Sequence, residues 1–513
     1  MNLTILKTKS DLEKWRQQHC INFVPTMGSL HEGHQKLIAA AKDSSHDLTP
    51  RVLVSIFINP LQFEENDDFK EYPRNLAKDC QKAYEAGADA IWAPSLNTIF
   101  PKGKEGHFTL KAPKSLQNHL CGAYRKNHFD GVATVVLRLL NLVRPQKIFL
   151  GEKDWQQLII LRQLIREVGL NVEIKSIATL RDKDGLPYSS RNLLLTPEER
   201  AKAIALPEIM KNASQKFQSG HELDLKKLKS YLENNDLRVE YLETVDMKKL
   251  TPVNHITSKL CLLASAVHCG KTRLIDHTFL MKRKPIVAID GPAGAGKSTV
   301  TKKFAEKLGL IYLDTGAMYR AVTWLIQKKS IDPNNEKDML EALKNLRLNI
   351  DLSENGVQQV LLNNINITNQ IRSPEITSQV SLISSKGIVR EILTAQQQYM
   401  GERGGIVAEG RDIGTAVFPD AELKVFLTAS PQERARRRAI DLKNQGFSVP
   451  SLLDLEEQIK ERDYIDSNRK IAPLLQAKDA RLLITDGMNI DKVIESLITM
   501  FREEIPEEIW PLK

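Results

Sequence analysis

The chain has 513 residues, 42% hydrophobic and 27% charged, the composition of an ordinary globular protein with room for about three or four domains. That mix excludes a chain disordered throughout, a collagen-like repeat and a disulfide-rich secreted framework, and the five cysteines form no CxxC pair, as expected of reduced thiols in a cytoplasmic protein. Most of the net charge of +9 lies in residues 1–280, with 40 basic against 32 acidic residues, but the charges are scattered and no arginine-rich run is interleaved with aromatics, so small anions rather than nucleic acid are the expected partners.

No apolar run approaches the ~18–20 residues that span a bilayer, and the first ten residues lack the apolar core of a signal peptide. No membrane association is expected. Residues 21–25, 51–58, 90–92 and 147–150 are short apolar runs that read as strands, and residues 34–44 read as a helix. This alternation predicts α/β architecture with a doubly wound parallel sheet. From about residue 186 charged helical patterns such as 223–233 take over, which predicts a smaller lobe over 186–280 after a first lobe over 1–185. The apolar stretch 260–267 and a short final strand over 271–276 close that half. The basic patch Lys282-Arg-Lys-Pro285 then leads into Ile286-Val-Ala-Ile-Asp290 and a glycine-rich turn, the opening of a second α/β domain over 281–513. Each half is expected to own a core.

Met27-Gly28-Ser-Leu-His31-Glu-Gly33-His34 follows the first strong strand. Two imidazoles three residues apart share a face of the first helical turn, beside a helix N-terminus that favours anions. Nucleotide phosphates fit this pattern; a surface pair or a metal pair of histidines also does, although H-E-x-x-H is absent. Asn59-Pro-Leu-Gln62 and Gly151-Glu152-Lys153-Asp154-Trp-Gln-Gln157 sit just past other strands, where ligands bind in open sheets. Asp182-Lys-Asp-Gly185 and Ser189-Ser190-Arg191 add a turn, two hydroxyls and a cation.

These segments, with Tyr72-Pro-Arg74 and Phe129-Asp-Gly-Val132, resemble pantothenate synthetase over residues 1 to about 280. The resemblance implies a Rossmann-like nucleotidyltransferase that condenses pantoate with β-alanine through pantoyl adenylate, releasing pyrophosphate and then AMP. It implies ATP contacts at Met27, Gly28, His31, His34, Gly151, Glu152, Lys153, Asp154, Leu180, Tyr188, Ser189, Ser190 and Arg191. His31 and His34 would contact the ATP phosphates, with His34 the usual proton donor, and Lys153, Ser189, Ser190 and Arg191 would neutralise developing charge. Gln62, Gln157, Asn59 and Arg125 would hold pantoate or β-alanine, and Asp154 would place magnesium or the ribose. The stretch Gly122-Ala-Tyr-Arg125-Lys-Asn-His128 departs from the family's usual Ser-Arg-Pro-Gly-His. The family's frequent dimerisation points to a homodimer through the first half.

Gly291-Pro292-Ala293-Gly294-Ala295-Gly296-Lys297-Ser298 fits G-x-x-x-x-G-K-[ST] between a strand and a helical pattern starting at Thr299. Backbone amides would wrap phosphates, Lys297 would reach the terminal phosphates, and the Ser298 hydroxyl would reach magnesium. The run Arg434-Ala-Arg-Arg-Arg438 reads as a lid closing on ATP or as a basic helical surface. Residues 285 to beyond 475 resemble bacterial-type cytidylate kinase, a P-loop nucleoside monophosphate kinase. That resemblance implies phosphoryl transfer from Mg-ATP to CMP or dCMP, with CMP contacts at Thr315, Tyr319, Arg320, Arg372, Arg411, Asp412, Arg462, Asp466 and Arg469. Taken together, the two resemblances imply a fusion of two enzymes. The rival readings are a different acceptor for the first half, and a nucleotide-sensing module in place of one catalytic half.

Overall fold

The computed structural model describes residues 3–44, 50–63, 72–103, 105–253, 260–344, 346–352, 358–444, 446, 448–469 and 471–511. The chain divides into two compact units. Among the described residues, unit 1 comprises those up to Lys282 and Pro506–Pro511, and unit 2 comprises those within Arg283–Ile505. The sequence reading assigns everything after 280 to the second half; the structure gives Pro506–Pro511 to the first, through contacts that no local pattern reports.

Unit 1 is built on six parallel strands: β1 (Thr4–Leu6), β2 (Ile21–Thr26), β3 (Arg51–Ile56), β4 (Ala90–Trp92), β5 (Lys147–Gly151) and β6 (Glu173–Ile177). Their order is β1-β4-β3-β2-β5-β6. Val24, Val52, Val54 and Ile91 from this sheet form one core with Ile38 and Ala41 of the helix Glu32–Asp43. Within β2, Pro25 has no amide hydrogen to donate, and pairing with β5 stops at Phe23 and Ile148. Beyond that point the sheet opens between the two strands.

The smaller lobe is a second sheet, antiparallel, of β7 (Arg238–Asp246), β8 (Cys261–Cys269) and β9 (Thr272–Leu280) in that order. Sequence reading finds charged helices here and only a short last strand, because β7 is half-buried and interrupted by a bulge between Val239 and Tyr241. The lobe has its own core, where Leu263, Val267 and Leu274 meet Leu206, Ile209 and Phe217 of the helix Ala205–Gln218. None of the five cysteines is in a disulfide.

Unit 2 centres on five parallel strands in the order β11-β15-β10-β16-β17. These are β10 (Ile286–Asp290), β11 (Ile311–Asp314), β15 (Ile406–Gly410), β16 (Leu423–Thr428) and β17 (Arg481–Ile484), with an antiparallel sheet of β12 (Leu348–Leu352), β13 (Gln358–Leu362) and β14 (Ile365–Asn366) inserted between β11 and β15. Every residue of β10 is buried, as a central strand covered on both faces requires. Ile286, Ala288 and Ala408 pack with Met318, Val322 and Leu325 of the helix Thr315–Lys328. No helix among the described residues is long and apolar enough to cross a membrane.

Candidate active sites

From β2 the chain of unit 1 builds β3 and β4 on one side, then β5 and β6 on the other. The carboxyl ends of β2 and β5 flank this switch, the usual ligand crevice of an open parallel sheet. A cavity of about 290 Å³ opens there. Its wall includes Met27, His31, His34, Asn59, Gln62, Arg125, Gly151, Lys153, Asp154, Gln157, Leu180, Tyr188, Ser189, Ser190 and Arg191. Residues from five separate stretches of sequence thus reach one space.

Two expected contacts do not line it. Gly28 is buried at φ +85°, where a Cβ would lie 3.0 Å from Asp79 Oδ2. Its role is to let the loop turn over Asp79, which accepts from the amides of Ser29 and Leu30 at 3.0 and 2.7 Å. Glu152 is fully buried and turned into the protein, where the Ser176 hydroxyl donates to it at 3.0 Å.

His31 caps the helix Glu32–Asp43, and the His31 and His34 ring centroids are 4.1 Å apart. The space above Gly33 is filled by the His31 ring itself: a Cβ on Gly33 would stand 3.0 Å from it. Burial pushes His31 down to about 2 and His34 down to about 4. Both are neutral at pH 7 and bring one N–H each, not a charge. The His31 amide donates to His34 Nδ1 at 3.4 Å, which leaves the proton on Nε2. Positive charge comes instead from Lys153, Arg125 and Arg191. Desolvation acts to raise the Asp154 carboxyl, but Lys153 and Arg191 outweigh it and hold it below the usual range.

Asn59 is buried with both side-chain heteroatoms engaged. Its Oδ1 accepts from the Leu61 amide at 3.1 Å, and its Nδ2 donates to Gln62 Oε1 and Gly131 O, both at 3.1 Å. Asn59 therefore orients Gln62. His128, quoted in a motif but given no role from sequence, also lines the cavity; its Nδ1 pairs with Gln62 O at 2.9 Å and its Nε2 with Arg125 Nη1 at 3.1 Å. Burial, reinforced by Arg125, lowers His128 to about 4.

In unit 2 a cavity of about 1040 Å³ lies at the carboxyl ends of β10, β11 and β15. The P-loop residues Ala293 to Thr299 line it, whereas Gly291 and Pro292 lie beneath. A Cβ on Gly291 would fall 2.0 Å from Leu427 O on β16. Lys297 folds back onto its own loop, donating to Gly291 O and Pro292 O at 2.8 Å each. The Ser298 hydroxyl donates to Glu409 Oε1 at 2.6 Å, and the Tyr312 hydroxyl joins the same oxygen at 2.7 Å. Burial and then Asp314 raise the Glu409 carboxyl. Glu409 escapes the sequence reading, although a carboxylate ending the buried run Ile406-Val-Ala at a strand terminus is a legible signal.

Thr315, Tyr319, Arg320, Arg411, Asp412, Arg462, Asp466 and Arg469 line this cavity together. Arg372 does not; it ends a short 3-10 turn and its side chain is exposed. Several expected contacts already have partners. Asp412 pairs with buried Arg390, Asp466 holds Arg411 at 3.1 Å and Arg469 at 2.6 Å, and the Thr315 hydroxyl donates to Glu409 O at 2.6 Å. Asp290 ties the turn after Asp412 by accepting from the Ile413 and Gly414 amides at 2.8 and 2.7 Å, and burial lifts it to about 6. Three guanidinium nitrogens of these residues, Arg320 Nε, Arg462 Nε and Arg469 Nε, are buried without a hydrogen-bond partner among the described residues. The arginine run lies on the helix Pro431–Asn444 and splits by face. Arg434 and Arg437 donate to the P-loop carbonyls of Ala293 and Ala295 at 3.1 Å each, while Arg436 is exposed.

Residues 3–279 match the family model of pantoate-beta-alanine ligase, and residues 287–503 match that of cytidylate kinase. A bifunctional pantoate ligase/cytidylate kinase from Prochlorococcus marinus is 66% identical, over 100% of this chain and 99% of its own length. Another from Synechococcus is 53% identical over 96% of this chain and 99% of its own. The crystal structure of pantothenate synthetase from Thermus thermophilus has a TM-score of 0.50 and 34% identity, covering 54% of this chain and 98% of that one. Two sites of different architecture, each within a unit matched by its own family model, account for two activities: the chain belongs to the bifunctional pantoate ligase/cytidylate kinase family, making pantothenate with one unit and phosphorylating CMP with the other.

Proposed function

We propose the following roles for the residues of the two sites. In unit 1 the pantoate carboxylate attacks the α-phosphorus of ATP, forming pantoyl adenylate as pyrophosphate leaves. The amine of β-alanine then attacks the acyl carbon, and AMP leaves with the anhydride oxygen. His34 donates Nε2–H to a phosphate oxygen as a neutral imidazole, and His31 supports it. Lys153 and Arg191, with Ser189 and Ser190, neutralise charge that grows on the phosphates. Gln62, oriented by Asn59, and Gln157 hold pantoate, with Arg125 and His128 fixing the Gln62 backbone. The convergence of three cations and two neutral imidazoles at the sheet switch carries this reading.

In unit 2 the P-loop amides and Lys297 bind ATP, and the arginine cluster binds the phosphate of CMP or dCMP. The convergence of Arg320, Arg411, Arg462 and Arg469 on one cavity wall carries this reading, because guanidinium groups gathered there call for a phosphate anion. Magnesium would neutralise the phosphate oxygens between donor and acceptor. The Ser298 hydroxyl and Glu409 carboxylate offer the oxygen ligands a hard cation takes. Asp154 is the corresponding candidate in unit 1. The helices Pro431–Asn444 and Leu452–Ser467 share a small core of Ala435, Leu455 and Ile459 with Ala439 and Leu442 packed against it, which suits a lid. The reading includes a cytoplasmic location, supported by cysteines outside any disulfide, and a homodimer through unit 1.

The test supplies the purified chain with pantoate, β-alanine, CMP and Mg-ATP and follows AMP, pyrophosphate, ADP and CDP. Lys153→Ala should remove the first pair of products and Arg411→Ala the second pair. Loss of all four in either variant would contradict two separate sites.

A further inference from the structure

Pro506–Pro511 follows the last helix of unit 2, yet it packs as part of unit 1. Its hydrogen bonds form a reciprocal clasp. The amides of Glu507 and Glu508 donate to Glu152 Oε1 and Oε2 at 2.8 and 3.0 Å. The carboxylates of the same two residues accept from the amides of Ala178 and Thr179 at 2.8 and 3.0 Å. Glu152 is fully buried, so without these amides it would keep only the Ser176 hydroxyl among the described residues. A buried carboxylate in that state is costly.

Both ends of the clasp belong to the frame of the ligase cavity. Ala178 and Thr179 follow β6 and line the cavity beside Leu180. Lys36, two residues beyond His34 on the same helix, donates to Ala178 O at 3.2 Å. The 178–179 backbone is therefore held by a lysine at the Ala178 carbonyl and by two carboxylates at its amides. Glu152 immediately precedes Lys153 in the same 3-10 turn. Neither Glu507 nor Glu508 lines the cavity itself.

We propose that Glu507 and Glu508 are positioning residues of the adenylation site, fixing the 178–179 wall through their carboxylates and the Lys153 turn through their amides. This inference rests on the reading of the unit 1 cavity as the ATP and pantoate site. It separates side-chain effects from backbone effects. The double variant Glu507→Ala/Glu508→Ala keeps the amides and loses the carboxylates. The wall relaxes while the Lys153 turn stays held, so the KM for ATP in pantoyl adenylate formation rises about tenfold and kcat changes less than about twofold. Stopping the chain after Ile505 removes amides and carboxylates together, and kcat then also falls by about tenfold or more. Glu507→Gln/Glu508→Gln retains an acceptor oxygen at each position and brings KM back to within about threefold of wild type. CMP phosphorylation is unchanged in all three.

Steady-state adenylation kinetics on the full chain and these variants decide the matter. A merely structural segment would reduce the amount of active enzyme, lowering apparent kcat at constant KM in every variant. That outcome overturns the proposal, and so do wild-type constants in the shortened chain. If the shortened chain does not fold, the alanine and glutamine pairs carry the test alone. Lys153→Ala is measured alongside. If adenylation survives Lys153→Ala, the reading of the cavity fails; if it is lost there while the Glu507 and Glu508 variants behave as wild type, only the positioning role fails.

Discussion

Gly131 offers a way to move Gln62 without touching it. The residue sits in the first turn of the helix His128–Val143, which packs on the 3-10 turn Pro60–Gln62. A Cβ built on Gly131 would lie 2.2 Å from Leu61 O, 2.5 Å from Leu61 C and 3.0 Å from the Gln62 amide nitrogen. All three are backbone atoms, so no side chain can swing aside. To restore ordinary contact the turn must retreat by about 1 Å. Two effects then compete in Gly131→Ala. Replacing glycine by alanine inside a helix gains ~1 kcal/mol, and overpacking costs ~1–3 kcal/mol, so net stability changes little or falls modestly. Catalysis suffers more, because a 1 Å displacement of a substrate-positioning group costs about 10²-fold. The expected result is a drop of about 10² in kcat/KM for pantoate, with CMP phosphorylation intact in unit 2. Coupled assays of AMP and CDP formation on one preparation measure both. A folded Gly131→Ala chain whose kcat/KM for pantoate stays within about threefold of wild type would falsify the role given to Gln62.

Lys297→Ala should abolish CDP formation and leave pantothenate formation nearly intact, as read by separate product assays; parallel loss of both would point to a shared ATP site. His34→Ala should slow adenylate formation by about 10²–10³, the usual effect of removing one transition-state donor. Attack of β-alanine on supplied pantoyl adenylate should suffer less, and equal damage to both half-reactions would make His34 a support of the helix start instead. Acid should weaken unit 1. His128 and His277 are buried and pushed down to about 4 from 6.5, burial being the main cause, so the unfolded chain binds more protons between those values. Their contribution to stability is present above pH ~6.5 and lost as pH falls toward ~4, up to ~3 kcal/mol each. Melting temperatures between pH 7 and 5 should therefore drop less steeply in His128→Asn than in wild type, and identical slopes would contradict the burial argument.

The P-loop is legible in sequence because its chemistry is contiguous: eight residues supply glycines, lysine and serine, and the strand before them is wholly apolar up to its final Asp290. His31 and His34 are legible for the same reason, as neighbours on one turn. Their charge state is not, because it depends on burial by residues from other segments. Glu409 and Asp290 act across strands, one on Ser298 and the other on the turn after Asp412. No spacing along the chain announces such pairings. Asn59 looks like a ligand from its place in a loop, but its side chain is occupied by Leu61, Gln62 and, 72 residues away, Gly131. Arg372 has the right residue type in a resembling motif, yet its exposed side chain stands outside the cavity wall. The sheet β7–β9 is obscured by half-buried β7, where polar residues interrupt the alternation that reveals a strand.

The return of Pro506–Pro511 to unit 1 makes unit 2 an insertion between two pieces of another domain. Vectorial synthesis gives that topology a temporal meaning. Glu152 and the amide of Glu507 are 355 residues apart. At ~5–20 residues per second, the ribosome needs about 20–70 s to supply the second after the first. Throughout that interval Glu152 lacks the two amides that bind it in the finished chain. Residues Arg283–Ile505 of the kinase unit are all synthesised before Pro506–Pro511 of the ligase unit.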